Sequence, residues 1–324
     1  MKVNMPNTEM IYSVSYMTSL NWKCWVQILR GHKIKEKPQN EFNKTRGSTM
    51  NHSKIIAIMN QKGGVGKTTT TINLGVGLAK AGKHVLLIDA DPQASLTVAL
   101  GMKNPDDLDV TLTDVLRAVA EDRAPPENHG IIHHPEGVDV LPSSIELSAF
   151  EVNMIGMMSR EYILRDALAP LKEKYDQILI DCMPSLGMLC INALTAADSV
   201  IIPTQASFLS TKGLSLLLGS IARVRRQINP TLKIDGVLLT MVDQRTNNAR
   251  AITAALRATS NQLPVFETEI PFSVRAAETA SEGKSIYAHD AKGKVAAAYE
   301  SLTKEVLTHE RQEVHRPRSN ERAR

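Results

Sequence analysis

Short apolar runs alternate with longer amphipathic segments along most of the chain. From residue 54 onward the apolar runs end at turn residues, as buried strands do, and the segments between them have helical periodicity. The pattern predicts strands at residues 55–59, 84–89, 138–141, 177–181, 199–203, 233–241 and 265–270. It predicts helices at about 70–81, 113–120, 145–174 (broken near 156), 188–196, 211–227, 248–260, 271–282 and 292–308.

Such alternation is typical of an α/β fold with a mostly parallel twisted sheet that helices flank on both faces. Ligands of such sheets bind at the carboxyl ends of the strands. The composition agrees, since 43% hydrophobic and 22% charged residues suit a soluble globular protein. Aromatic residues make up only 4%, so we expect a core of Ile, Val, Leu and Ala.

Both ends of the chain lack this alternation. Residues 1–49 contain eight Lys/Arg against three Glu, a net charge of +5. Three interpretations stay open for them: a basic, disordered arm, a small interaction segment, or a start codon assigned too early, since Met50 lies four residues before the first strand. Residues 309–324 contain five Arg against three Glu, and we expect a disordered charged tail. The predicted domain spans residues 50–308.

The cysteines and the longest apolar runs bear on the compartment. Cys24, Cys182 and Cys190 lack the spacing of metal ligands, and an odd number without a pairing pattern fits a reducing cytosol. No apolar run reaches the roughly 18 residues that span a bilayer. We therefore expect a cytoplasmic protein with no membrane partner.

The stretch KIIAIMNQKGGVGKTTTT, residues 54–71, places a glycine-rich turn between a predicted strand and a predicted helix. This is the context of a phosphate-binding loop, in which backbone N–H groups, the helix N-terminus and a lysine attract phosphate. The pattern G-x-x-x-x-G-K-[ST] is incomplete, because Gln61 stands where its first glycine would be and Lys62 adds a second lysine. The predicted nucleotide-binding residues are Lys62, Gly63, Gly64, Val65, Gly66, Lys67, Thr68 and Thr69.

Acidic residues follow two of the predicted strands. Asp89 and Asp91 occur in D-A-D-P-Q, and Asp181 occurs in D-C-M-P-S. An aspartate at this position can hold Mg²⁺, usually through water, and an acidic group near the terminal phosphate can orient the attacking water. One such aspartate alone could equally be a helix N-cap. Three of them at strand ends beside a phosphate loop favour metal binding and catalysis.

Six segments taken together resemble the ParA/Soj partition ATPases. They are KGGVGKTTTTINL, LLIDADPQ, ILIDCMPSLG, INALTAADSVIIPTQ, GVLLTMVDQRTN and IPFSVRAAE. The family has a deviant Walker A loop and is related to MinD and the nitrogenase iron protein, and the resemblance covers about residues 53–308. It implies a P-loop fold, ATP and Mg²⁺ as ligands, slow ATP hydrolysis, and a homodimer that forms on ATP binding.

The resemblance also implies roles for single residues. Lys62 would be the signature lysine, which reaches across a dimer to the phosphates of the partner subunit as an arginine finger does. Lys67 would hold the β- and γ-phosphates, and Asp91 would position the attacking water. The implied metal residues are Thr68, Asp89 and Asp181. Residues that match the family's adenine pocket are Thr240, Asn247 and Pro271.

Two arginines, Arg245 and Arg275, match family residues that contact DNA without sequence preference. The family has a second basic group where this chain has Phe272, which lowers the expected DNA affinity, although the basic tails could compensate. Met183 replaces the first proline of the family's D-C-P-P segment, and Ser207 replaces a common glutamate. Neither change touches the predicted phosphate loop.

The function that the resemblance implies is partitioning of a plasmid or chromosome. A ParB-type centromere-binding protein would stimulate hydrolysis and release the dimer from DNA on the nucleoid. Positioning of a non-DNA cargo, such as a chemotaxis cluster or a microcompartment, stays open as an alternative. A MinD-type membrane regulator needs an amphipathic C-terminal helix, and the end HERQEVHRPRSNERAR has almost no apolar face. An iron–sulfur carrier would need cysteine ligands, whereas Cys182 and Cys190 lie in apolar segments.

Overall fold

A computed structural model describes residues 53–206, 208–243, 245–258 and 263–315. The expectations for residues 1–49, for Ser207 and for the chain after residue 315 lie outside the described residues.

The described residues form one eight-stranded sheet. In sheet order the strands run β3-β4-β2-β5-β1-β6-β7-β8, and all neighbours are parallel except the antiparallel pair β3–β4. The predicted α/β fold with a mostly parallel sheet is therefore confirmed. The strands are β1 (Lys54–Ile58), β2 (Val85–Ala90), β3 (Ile132–His134), β4 (Val138–Leu141), β5 (Gln177–Cys182), β6 (Ser199–Gln205), β7 (Lys233–Val242) and β8 (Val265–Pro271).

Helices connect the strands and cover both faces of the sheet. They are α1 (Lys67–Lys80), α2 (Ser95–Ala99), α3 (Leu112–Ala120), α4 (Glu146–Met154), α5 (Ile163–Leu168), α6 (Met188–Ala196), α7 (Phe208–Gln227), α8 (Asn247–Ala258), α9 (Val274–Glu282), α10 (Ile286–His289) and α11 (Lys294–His315). From β1 to β2 and from β5 to β6 the chain moves in opposite directions along the sheet, so right-handed crossovers place α1 and α6 on opposite faces. Helix α11 packs on α1, whereas α5 and α7 pack on α6.

Several elements differ from the prediction, among them the unpredicted four-residue helix α10. Strand β3 was predicted as loop, because its sequence IHH is polar and pairs only at the edge of the sheet. The five-residue helix α2 was not predicted. Helix α11 continues to His315, beyond the predicted helix end at residue 308. Its charged last turns look like a tail in sequence, but Glu310 accepts a hydrogen bond from Gln177 Nε2 at 2.9 Å and lies 3.8 Å from Lys54 Nζ.

Close packing between α1 and β2 depends on Gly75. A Cβ atom at this position would lie 2.5 Å from Cδ2 of the buried Leu87. We expect Gly75→Ala to lower the free energy of unfolding by about 1–3 kcal/mol, because overpacking outweighs the roughly 1 kcal/mol that alanine gains in helix propensity. Denaturant unfolding measures the change. In Gly213→Ala, the matched control within α7, the new Cβ meets nothing within 4 Å and should stabilise the protein; equal effects at both sites would contradict the packing argument.

Candidate functional site

The side chain of the buried Asn60 anchors the glycine-rich loop between β1 and α1. Its Nδ2 donates to the Pro203 carbonyl at 2.7 Å, and its Oδ1 accepts from the Lys62 backbone N–H at 3.0 Å. Gly64 and Gly66 have φ angles of +68° and +84°, which only glycine adopts without strain. The loop is therefore a fixed, open turn at the carboxyl edge of the central strand.

Helix α1 begins at Lys67 and presents its N-terminus to this loop. Lys67 is 8% exposed, and the first turn, which contains Thr68 and Thr69, has no acidic residue. The unpaired N–H groups of a first helical turn and the positive end of the helix dipole favour an anion. Together with the lysine, they can hold the phosphates of a nucleotide.

Strands β6 and β7 support the loop from the side. Thr240 Oγ1 donates to the Val65 carbonyl at 2.8 Å, and Gln205 Nε2 donates to the Gly64 carbonyl at 3.0 Å. The same Gln205 accepts, through Oε1, a hydrogen bond from Lys62 Nζ at 3.1 Å. Lys62 thus has a partner within its own chain. The sequence interpretation gave Gln205 no role. Its position at the end of β6, the strand next to β1, could have indicated that it lies beside the loop.

Asp89 and Asp91 organise the loop that follows β2. The buried Asp89 Oδ2 accepts from the Thr97 N–H and from Thr97 Oγ1, both at 2.8 Å, while Oδ1 accepts from the Asp91 N–H at 3.2 Å. Burial raises the pKa of Asp89 to about 6, although the hydrogen bonds from Thr97 oppose the shift. Asp89 therefore binds the loop after β2 through Oδ1 and helix α2 through Oδ2, and Asp91, on that loop, is partly exposed. Thr97 was not predicted to take part.

Asp181 at the end of β5 meets the first turn of α1. Thr68 Oγ1 donates to Asp181 Oδ2 at 2.7 Å, and Thr71 Oγ1 donates to Oδ1 at 3.4 Å. Burial, and then the neighbouring Asp89 carboxylate, raise the pKa of Asp181 above its usual range. In the sheet Asp181 pairs in register with Asp89. A hydroxyl and a carboxylate at this separation are oxygen ligands of the kind that Mg²⁺ prefers, so the residues present fit that ion.

The two predicted DNA contacts lie at the neighbouring strand ends β7 and β8. Arg245 follows β7 and is 88% exposed, and Arg275, in the first turn of α9, is 65% exposed. The Phe272 N–H donates to the Val242 carbonyl at 3.3 Å, so the 61% exposed Phe272 ring belongs to the same edge of the sheet. Both arginines therefore lie on the edge that carries the phosphate loop.

A cavity of about 290 Å³ lies beside the ends of β7 and β8. Val242 and Pro271 form part of its apolar wall, and Glu269, Lys294 and Ser301 contribute polar atoms. The predicted adenine residues are thus spread over several places. Pro271 lines the cavity, and Thr240 lies under the loop. Asn247 is not among the lining residues; its Oδ1 accepts from Arg250 Nη2 at 2.6 Å.

The chain is similar to proteins of known family over most of its length. A family model described as an AAA domain matches residues 53–234. The sporulation initiation inhibitor protein Soj of Bacillus subtilis is 43% identical over 262 residues, which cover 78% of this chain and 98% of Soj. The chromosome partitioning protein ParA of Caulobacter vibrioides is 42% identical over 263 residues, 81% of this chain and 96% of that protein. The chain belongs to the ParA/Soj family.

A solved structure shares the fold of this ParA/Soj protein. Cobyrinic acid a,c-diamide synthase from Mycobacterium smegmatis, with bound ATP analog and magnesium, is 36% identical with a TM-score of 0.70, over 81% of this chain and 97% of that chain. The family consists of P-loop ATPases, which agrees with the loop and strand ends described above. None of the helices in the described part of this ParA/Soj protein is long and apolar enough to cross a bilayer.

Proposed function

We propose that this protein is an ATPase that dimerises on binding ATP, holds DNA as the ATP dimer, and partitions a plasmid or chromosome with a ParB-type partner. Hydrolysis, which the partner stimulates, releases the dimer from the DNA of the nucleoid in the cytoplasm. The observation that carries the proposal is the second lysine of the loop, Lys62, whose Nζ contacts Gln205. A loop that only bound its own phosphates would not need it.

ATP and Mg²⁺ fit the residues at the carboxyl edge. The N–H groups of residues 63–69 and Lys67 would hold the phosphates, and Thr68 and Asp181 would hold Mg²⁺. The bound ion supplies positive charge against the phosphates and keeps Asp181 ionised despite its burial. Asp89 would act through its loop, by holding Asp91 where that carboxylate can orient a water. The cavity beside Pro271 offers apolar walls and a few polar atoms, which suit a purine base.

Lys62 would have a second position in the dimer. In the structure its Nζ donates to Gln205 within one chain. In the ATP dimer it would leave Gln205 and bind the phosphates of the partner subunit. ATP would then bind the dimer better than two monomers, and this differential affinity would shift the population toward the dimer.

Arg245 and Arg275 would bind DNA through its phosphates. Both side chains are exposed, on a strand-end loop and on the first turn of a helix, and contacts to phosphates carry no sequence information. The contact would therefore be electrostatic, independent of sequence and weakened by salt. Because dimerisation would bring two such edges together, the dimer would contact more phosphates than a monomer does. This doubling makes DNA binding depend on ATP.

Charge reversal tests the DNA surface. We expect Arg245→Glu with Arg275→Glu to weaken binding of a labelled random-sequence duplex by about 100-fold or more, since each reversal replaces attraction to phosphate by repulsion. Fluorescence anisotropy with a non-hydrolysable ATP analogue measures it, while analytical ultracentrifugation should show an intact dimer. Arg123→Glu with Arg165→Glu, two exposed arginines elsewhere, is the charge-matched control. Equal DNA affinity of both double variants would count against the proposed face.

Two alternatives have a specific observation behind them. The uncharged Phe272 would suit an ATPase that positions a cargo other than DNA, and ATP-dependent dimers that ignore DNA would favour that function. The similarity to the mycobacterial diamide synthase suggests an amide synthesis, which ATP turnover dependent on glutamine and indifferent to DNA would support. An iron–sulfur function fits less well, because Cys182 and Cys190 are each 2% exposed and burial raises the pKa of the Cys190 thiol to about 12.

A further inference from the structure

We propose that two carboxylates, Asp243 and Asp290, compete with DNA phosphates for Arg245 and Arg275 and thereby limit how tightly the DNA surface binds. The inference rests on the proposed function, because it concerns the same two arginines. It adds two residues to that surface and gives them a regulatory effect. Each carboxylate is placed where a phosphate would otherwise bind.

The first pair, Asp243 with Arg245, is bidentate. Arg245 Nε donates to Asp243 Oδ1 at 2.8 Å, and Nη2 donates to Oδ2 at 2.9 Å. The Arg245 backbone N–H also donates to Oδ1, at 3.1 Å. A guanidinium binds phosphate through the same kind of paired donors, and Asp243 occupies the Nε–Nη2 edge of Arg245. A phosphate must therefore displace the carboxylate or use the remaining donors beside its negative charge.

The second pair, Arg275 with Asp290, joins the first turn of α9 to the residue that follows α10. Arg275 Nη1 donates to Asp290 Oδ1 at 2.8 Å, and Asp290 is the better buried partner, with 19% of its side chain exposed against 65% for the arginine. Asp290 directly follows His289, whose Nδ1 lies 3.1 Å from Glu282 at the end of α9. Contacts at both ends of α9 therefore hold Arg275 near the carboxylate of Asp290.

The charges of the four residues cancel. Hydrogen bonds from the Arg245 side chain lower the pKa of Asp243 to about 2, so this carboxylate is ionised at any physiological pH. Phe272, three residues before Arg275, adds no positive charge to the surface. A phosphate that approaches either arginine must displace the carboxylate or bind beside its negative charge, and both cost affinity. The expected result is a surface that binds DNA only when the dimer presents it twice.

Removal of each charge at constant shape tests the inference. We expect Asp243→Asn and Asp290→Asn each to tighten DNA binding about three- to fivefold, and the double variant about tenfold, the range of exposed ion pairs. The slope of log affinity against log salt should steepen by up to about 0.9 for each arginine set free. Anisotropy with a labelled duplex and a non-hydrolysable ATP analogue gives both values. Adding Arg245→Ala to Asp243→Asn should cancel the gain, which a general effect on folding would not do.

A matched control exists on a distant part of the sheet. Glu121 accepts from Arg123 Nε at 2.8 Å, also two residues apart and exposed, in the loop after α3. Helix α3 contacts β2, four strands from β7. Glu121→Gln should leave DNA affinity unchanged; an equal gain there would overturn the inference in favour of net charge. Wild-type binding that neither asparagine variant tightens would overturn it too, whereas no DNA binding by any form would instead refute the proposed function.

Discussion

Lys62→Ala is expected to abolish ATP-dependent dimerisation and, with it, DNA binding, while much of the affinity for ATP remains. Lys67 and the N–H groups of the loop would bind phosphate within one chain and stay in place in this variant, whereas Lys62 would act across the dimer. Loss of a charged contact to buried phosphates typically costs several kcal/mol, so we expect dimer affinity to fall by about 1,000-fold. Ultracentrifugation with an ATP analogue measures the dimer, and a fluorescent ATP analogue measures nucleotide binding.

Gln205→Ala separates the two roles of Lys62. It removes an acceptor that Nζ contacts within the chain, at 3.1 Å, and keeps the lysine side chain that would reach a partner subunit. If Lys62 acted only by holding its own loop to β6, both variants would lose dimerisation alike. We expect Gln205→Ala to dimerise with ATP. Normal ATP-dependent dimers of Lys62→Ala would refute the scheme.

Sequence predicted the central strands well because their chemistry is local. Residues 85–90 and 177–182 are buried along their whole length, and short apolar runs bounded by turns rarely form anything but buried strands. Strand β3 and the last turns of α11 depend on partners far away in the chain. Edge pairing with β4 stabilises the polar IHH segment, and Gln177 holds Glu310 across 133 positions. No local pattern could predict either contact.

The candidate site divides in the same way. Short sequence motifs contain the loop, Asp91, Asp181 and the two arginines, so the sequence predicts where these residues lie in the chain. The strand ends bring them to one edge of the sheet. The sequence did not predict their hydrogen-bond partners, because Gln205 lies 143 positions from Lys62 and Asp181 lies 113 positions from Thr68. The same holds for Asp290, which the fold brings to Arg275. Motifs predict which side chains take part in binding and catalysis. Only the fold shows which side chains form hydrogen bonds or ion pairs with them.

Asp91→Ala is expected to stop ATP turnover and to leave the ATP dimer bound to DNA. Asp91 lies on a loop that the buried Asp89 fixes, and its Oδ1 accepts from the Gln93 N–H at 2.9 Å, so the carboxylate is held in place at the carboxyl edge. A positioned acidic group that orients water contributes about 100- to 10,000-fold to a rate. We therefore expect turnover to fall by at least about 100-fold, measured as phosphate release with DNA and the partner protein present.

The retained dimer distinguishes a lost catalytic group from a damaged loop. If Asp91 only capped its loop through Gln93, removal of the carboxylate would loosen the loop and weaken nucleotide binding as well. We expect ATP affinity and ATP-dependent DNA retention to persist, with slower release from DNA than the wild type shows. Thr97→Val is the structural comparison, because it removes the hydroxyl that donates to Asp89 at 2.8 Å and leaves Asp91 intact. Wild-type turnover in Asp91→Ala would exclude the water-orienting role, and equal losses in both variants would assign the effect to the loop.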